Sequence, residues 1–404
     1  MIARMALRNL GRNRRRTAFV TALIALGAIV AMIAAGFMAA TYFVVKESAI
    51  RSGLGHFQIA KAGEFNGYKD FPMQHGLAPR EVARVMAALP ADAQALPRIA
   101  FEGVVSSGDR SLVFLATGVD PDAERMLGDW SRKLVAGSNL TGGDADNIYR
   151  VLLGAELARL LGVKPGQSLT MMTPTAAGGL NAADVTVVGL VSEGVRDIDR
   201  MRIVAPMGLA KELMGTDRID RVSVLLTDEA MLDAARTRAA AGLSQGASRS
   251  WRELSPLYDQ LVALYNRQFA VFGVVIGLMI GIAVINTVAM AVLERSRETA
   301  TLMALGFPRG LVRRMFLAEG AAVALLGSIA GLAIGWLLIR LINGAGIQMP
   351  PAPGSIEGYQ LYLMTVPWAA LATLAVLLLL GTFAGWAASG SIRSDRIVEG
   401  LRHD

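Results

Sequence analysis

The 404-residue sequence has no cysteine. That absence removes disulfide staples, thiolate metal sites and cysteine nucleophiles, and it suits an oxidising or thiol-indifferent compartment. Histidine is almost as scarce, since His56, His75 and His403 are the only three and lie far apart in sequence. No HExxH spacing or metal-ligand cluster accompanies them, so neither a catalytic site nor a metal or cofactor site is expected. A GxxxxGK[ST] phosphate loop is also missing, so ordinary ATP binding is not predicted and energy must come from a partner. Charge is what the long apolar runs lack. Glu319 and Arg340 lie near opposite ends of one run, and a proton or ion relay needs such groups at mid-membrane. This argues against a secondary transporter.

What the chain has is hydrophobicity. With 53% hydrophobic residues and a mean hydropathy of +0.44, it is too apolar for an ordinary soluble globule. Four stretches reach the roughly 20 apolar residues needed to cross a bilayer: Ala18–Val44, Phe269–Leu293, Phe316–Ile342 and Val366–Ala388. Arginines cluster before the first, between the second and third, and after the fourth, whereas Asn343–Thr365 has no Lys or Arg. The positive-inside rule then puts both termini and the charged turn in the cytoplasm. The net charge of +7 is read as topology and contact with anionic lipid, and no nucleic-acid partner is expected.

The fold class that follows is an α-helical membrane protein with four transmembrane helices plus a large α+β extracytoplasmic domain inserted between helices 1 and 2. In segments, 1–17 reads as a basic amphipathic helix, 18–45 as the first span with a stalk, and 46–250 as the extracytoplasmic domain, built as two subdomains. The second stalk and span follow at 251–293, a cytoplasmic segment at 294–315, and the third span at 316–342. An outer loop at 343–365, the fourth span at 366–388 and a cytoplasmic tail at 389–404 complete the chain. Within the domain, Gly55–Ala60, Val104–Ser106, Val113–Gly118, Ser168–Met172, Val185–Val191 and Val222–Leu226 read as strands. Glu81–Leu89, Gly154–Leu161, Gly208–Met214 and Asp228–Ala241 read as helices, and the segment from Val151 as a helix closed by Gly162, a Pro165-Gly166 turn and a strand. Thr173–Asp184 reads as a flexible loop by composition, a hairpin connection rather than a substrate or partner contact, and Trp251–Gln268 as a helical stalk leg.

Two patterns mark candidate functional positions. Gly273, Gly277 and Gly281 in the second span, and Gly327, Gly331 and Gly335 in the third, have the small-xxx-small spacing that lets helix backbones approach. Gly381 and Gly385 repeat it in the fourth. Between the second and third spans, Glu294, Arg295, Arg297 and Glu298 alternate in charge, with Glu294–Arg297 and Arg295–Glu298 spaced to pair across a helical turn. From Thr299 a short helix with Ala300, Leu302, Met303 and Leu305 on its apolar face stops at Gly306 and Pro308. A compact amphipathic element between two spans needs a partner for its apolar face.

The run Asn286-Thr287-x-x-Met290-x-Val292-x-Glu294-Arg295-x-Arg297-Glu298, then Ala304-Leu305-Gly306 and Phe316-x-x-Glu319, resembles the cytoplasmic coupling segment of the FtsX/MacB/LolC-LolE permeases of ABC transporters. That family usually has a small or β-branched residue followed by glycine where this chain has Thr299 and Ala300. The basic N-terminal helix and the segment from Val151 resemble the same family, and the likeness is weak in Lys61–Ser111. The resemblance implies an inner-membrane permease whose segment Glu294–Gly306 inserts into a groove of a separate ATPase, which carries the ATP and Mg. It also implies a second permease chain, identical or homologous, and a periplasmic carrier or adaptor. A lipoprotein, lipid or other hydrophobic cargo would be moved by extracytoplasmic rearrangement. An FtsX-like mechanotransmission subunit, activating an envelope enzyme or sensor without transport, is the alternative.

Overall fold

A computed structural model of the chain describes residues 14–65, 76–128, 134–141, 149–294, 301, 303, 305, 307–350 and 359–389. The chain divides into two compact units, one of Met1–Val44, Gln260–Gln348 and Gln360–Asp404 and the other of Val45–Asp259 with Met349–Tyr359. The helices, in chain order, are α1 (Arg14–Ala49), α2 (Pro79–Ala88), α3 (Pro121–Gly128), α4 (Ala155–Leu161), α5 (Met207–Met214), α6 (Leu232–Ala241), α7 (Pro256–Glu294), α8 (Arg309–Ala345) and α9 (Pro367–Ser389). The strands of the α+β unit are β1 (Phe57–Lys61), β2 (Gln94–Ser106), β3 (Ser111–Val119), β4 (Leu134–Gly137), β5 (Tyr149–Gly154), β6 (Ser168–Pro174), β7 (Leu180–Val191), β8 (Arg202–Pro206), β9 (Arg221–Leu225) and β10 (Gly246–Ser250).

The first sheet of the α+β unit has the order β10-β1-β9-β2, antiparallel throughout, with α2 joining β1 to β2 and α6 joining β9 to β10. Two β-α-β units interleaved in this way are the split βαβ arrangement of ferredoxin-like folds. Everything between β2 and β9 is inserted into it. In the insertion, β2, β3, β8, β5, β7 and β6 pair in turn, and β6 pairs back onto β2, so the ring closes. Closure leaves those strands without a free edge. Along β7, Val185 and Val187 point inward and fill the ring together with Val151, Leu153, Leu169, Met171 and Phe114; past a bulge opposite Val151/Leu152 the phase shifts, and Val191 joins a second cluster with Val119, Leu140, Leu152 and Val204.

One strand belongs to both sheets. Gln94–Arg98 of β2 pair with β9, and Ile99–Ser106 pair with β3. At the crossing point Arg98 is buried, and its Nη2 donates to Oε1 of Glu124 on α3, itself buried. Burial lowers the guanidinium pKa, and the carboxylate beside it acts against that shift.

Several expectations change. The helix expected at Gly154–Leu161 is α4, but the residues before it, Val151–Gly154, belong to strand β5 and not to that helix. A continuous apolar run of this length fits a strand covered on both faces as well as a buried helix turn, and β5 lies between β7 and β8. Thr173–Asp184 is mostly strand, because β6 runs to Pro174 and β7 starts at Leu180, leaving only 175–179 as the turn. Its small and polar residues suit the exposed face of a hairpin, which composition alone reads as loop. Trp251–Gln268 is not one helix: a single capped turn, Trp251–Leu254, ends at Ser255, and Pro256 opens α7.

Among the described residues, four helices are long and apolar enough to cross a membrane, within Thr17–Leu54, Pro256–Asn286, Gly310–Ala345 and Pro367–Ala387. In the membrane unit they share a core of Val20, Ile24 and Ala28 from α1, Ile280 and Val284 from α7, Val312, Phe316 and Ala324 from α8, and Leu377 and Ala384 from α9.

The Arg98–Glu124 pair supports a direct test. Glu124→Ala leaves a buried, uncompensated guanidinium and should cost about 3–5 kcal/mol of stability. The double variant Arg98→Met/Glu124→Leu should recover most of that loss in denaturant unfolding of the α+β unit. A double variant no more stable than Glu124→Ala would refute this account.

Candidate coupling site

The charged connection is partly described. Glu294 closes α7, while Arg295, Arg297, Glu298, Thr299, Leu302 and Gly306 lie outside the described residues. Thr301 and Met303 are helical, the Leu305 N–H donates to the Thr301 carbonyl at 3.0 Å, and Pro308 leads into α8. The neighbouring side chains differ in environment. Met303 packs on the membrane-unit core, whereas Leu305 is 72% exposed and Phe307 40% exposed. The connection is thus anchored to the bundle by one apolar group and presents two others outward.

The glycines separate into two groups. A Cβ at Gly327 would come within 2.8 Å of Ile24 Cβ, one at Gly331 would overlap the Ala25 carbonyl oxygen, and one at Gly335 would lie 3.2 Å from Met32 Sδ. This stripe therefore lets α8 touch the backbone of α1. Gly320, Gly381 and Gly385 do the same between α8 and α9, where a Cβ on Gly385 would stand 2.7 Å from the Phe316 carbonyl oxygen. By contrast, nothing lies within 4 Å of a Cβ at Gly273, Gly277 or Gly281. Val274, Leu278 and Ile282 around them are exposed, so this side of α7 has no partner within the described residues.

A third feature escaped sequence reasoning. The last turn of α1 and the residues after it, within the α+β unit, end in a π-helical turn, Ile50–Leu54, with Gly53 at φ +111°. Only glycine adopts that conformation without strain. The Ser223 hydroxyl donates to the Gly53 carbonyl at 2.9 Å, Gln58 Nε2 donates to the same hydroxyl at 3.2 Å, and Arg98 fills the space over the Gly53 Cα. Lys46 pairs with Glu229 at 2.6 Å. The available signal was an arginine inside an otherwise apolar strand, Ala95-Leu96-Pro97-Arg98-Ile99-Ala100-Phe101, since a charge there must be paired.

His56 belongs to this joint. Its Nδ1 accepts the Leu226 N–H at 3.1 Å, which places the neutral ring's proton on Nε2, facing Glu229 Oε1 at 3.6 Å. Burial holds its pKa below the ordinary value; Glu229 and Glu47 oppose the shift, and Lys46 and Arg51 add to it. Among the described residues no group of His, Asp and Glu could hold a metal ion. Gly242-Leu243-Ser244-Gln245-Gly246 has GxSxG spacing, but it forms the turn from α6 into β10. A nucleophile elbow runs in the opposite order, from strand to helix.

Two family profiles match this chain. The MacB-like periplasmic core domain covers residues 17–241, and the FtsX-like permease C-terminal covers residues 270–397. The chain belongs to the FtsX/MacB/LolC-LolE-type ABC transporter permease family. Among curated relatives, the lipoprotein-releasing system transmembrane protein LolC of Xylella fastidiosa is 29% identical over 270 residues, covering 63% of each chain. The macrolide export ATP-binding/permease protein MacB of Agrobacterium fabrum is 25% identical over 306 residues, covering 70% of this chain and 46% of its own. This permease thus spans about 63% of the length of the LolC relative it matches. Of solved structures, the periplasmic region of MacB from Actinobacillus actinomycetemcomitans aligns with a TM-score of 0.36 at 14% identity, covering 52% of this chain and 95% of that one. The extracellular domain of YknZ aligns with a TM-score of 0.34 at 14% identity, covering 48% and 98%.

Two outcomes are expected of this permease. Gly331→Leu should overpack the α1–α8 crossing and cost about 1–3 kcal/mol, while Gly277→Leu should leave the melting temperature of the detergent-solubilised single chain unchanged. Equal effects would refute the assignment of the two stripes. For His56, a folded pKa below the unfolded value means that the unfolded chain takes up the proton first as pH falls. Its contribution is therefore fully present above the unfolded value of about 6.5 and is lost as pH falls below that value and through the lower folded pKa. His56→Gln should flatten the fall in melting temperature between about pH 7.5 and about pH 5.5, and an unchanged slope would sink this role.

Proposed function

We propose that this chain is the permease subunit of a MacB/LolCE-type ABC transporter in the bacterial inner membrane, worked by a separate ATPase that docks on Glu294–Gly306. In this reading the α+β unit is inserted between the first and second spans on the extracytoplasmic side, and both termini face the cytoplasm. The observation that carries the docking role is the two-sided connection, with Met303 packed on the bundle and Leu305 and Phe307 exposed. An apolar knob held on a rigid stem is what a groove on a motor subunit can grip, with the neighbouring charges fixing its register.

The ATPase carries ATP and Mg, and a second permease chain, identical or homologous, completes the translocation unit. The open glycine side of α7 supports that second chain, since small residues in hydrocarbon gain their stabilisation from close packing with another helix. Nucleotide-driven closure of the motor moves the connection, then α7 and α8, and the extracytoplasmic domains rearrange around a lipoprotein, lipid or other hydrophobic cargo. A periplasmic carrier or adaptor receives or relays it. The joint at Gly53 supports mechanical transmission, because the turn that follows α1 accepts a hydrogen bond from Ser223 of β9 at the Gly53 carbonyl and has Arg98 of β2 packed over it.

Leu302→Asp and Leu305→Asp should each abolish recovery of an ATPase when the tagged chain is purified gently from its native membrane and its companions are identified by mass spectrometry. Membrane insertion should be unaffected. Full ATPase recovery by both variants would overturn the docking role.

A further inference from the structure

Helix α8 carries an arginine set over a tryptophan at each end. The Arg313 guanidinium lies 5.0 Å from the centroid of Trp386, on α9, and that of Arg340 lies 4.3 Å from Trp336. Twenty-seven residues of α8 separate the two arginines, a rise of about 40 Å, which matches a bilayer measured through its headgroup layers. On α9, Trp368 and Trp386 are both exposed and stand eighteen residues apart, about 27 Å, close to the hydrocarbon thickness alone. The two rulers agree. Tryptophans sit where hydrocarbon ends, and the arginines reach one layer further out.

At the Arg313 end the geometry is fixed by backbone contact. The approach of Gly385 to Phe316, and of Gly381 to Gly320, locks α9 against α8 within two turns of Arg313. Phe383 stacks on Trp386 at 5.6 Å between centroids, so the ring beneath the guanidinium is held from a second position. Cation–π contact uses the guanidinium's face and leaves its in-plane N–H donors available. Among the described residues neither Arg313 nor the exposed Arg314 beside it forms a hydrogen bond or ion pair. Two arginines at headgroup depth with no counter-charge among the described residues, one pre-oriented by an indole, fit a phosphodiester with net negative charge.

We propose that Arg313, Arg314 and Trp386 form a binding site for the headgroup of an anionic phospholipid at one end of the α8–α9 pair. The lipid's phosphate takes the in-plane donors of Arg313, and its acyl chains lie along the exposed apolar side of α9 at Phe383, Leu379 and Val376. The site depends on the membrane reading of these helices and not on the identity of the motor or cargo.

The test uses the full chain in mixed micelles, with phosphatidylglycerol and phosphatidylcholine offered in equal amounts and retained lipid read by native mass spectrometry. The wild type should retain phosphatidylglycerol preferentially. Arg313→Gln and Trp386→Leu should each lower that retention several-fold and leave phosphatidylcholine unchanged, while Arg238→Gln on α6 should behave as wild type. Arg313→Lys, which keeps the charge and loses the planar fork, should fall between. Equal retention of the two lipids by the wild type, or undiminished phosphatidylglycerol in Arg313→Gln and Trp386→Leu, would overturn the site.

Discussion

The α+β unit depends on one buried charge. Arg98 stands where β2 leaves the first sheet for the second and beside the glycine at which the extension of α1 turns, and Glu124 on α3 neutralises it. A guanidinium cannot shed its proton to escape burial, so everything around it must accommodate a permanent cation. That fixes α3, the strand crossing and the π-turn with respect to one another. Apolar packing alone would tolerate several arrangements of these elements; an interior ion pair tolerates far fewer.

The membrane unit is held by a different kind of contact. Hydrocarbon gives helices little reason to associate, so contact has to come from shape. Gly327, Gly331 and Gly335 let α1 lie in the groove of α8, and Gly320 meets Gly381 and Gly385 across α8 and α9. Polar bonds add to this: the Tyr42 hydroxyl donates to Asn266 Oδ1 at 2.9 Å, and Asn343 bonds both the N–H and the carbonyl of Leu363 at 2.9 Å.

Much of the membrane architecture was legible because hydropathy marks the four long apolar helices and the glycine spacing of α8 and α9 marks where backbones meet. The family could be read from the charged turn for a similar reason: a short amphipathic element between two spans has few uses. The α+β unit was harder. β5 and the start of α4 form one apolar run whose period does not distinguish a central strand from a helix, and β6–β7 hides its strands behind small polar residues on the exposed face. β8 and β10 lacked a local signal, since Arg202–Pro206 and Gly246–Ser250 become strands through their neighbours. The joint at Gly53 joins residues separated by up to 170 positions, beyond the reach of any local pattern.

The topology of the α+β unit bears on its history. The chain leaves the four-stranded sheet after Arg98 and returns at Arg221, and these two residues are paired neighbours on β2 and β9, with the Asp220 N–H donating to the Arg98 carbonyl at 3.0 Å. A segment whose entrance and exit touch can be lengthened, exchanged or lost without cutting the sheet that hosts it. The closed ring is therefore a cassette. Replacing it would change one end of the α+β unit while the host sheet keeps its strand order.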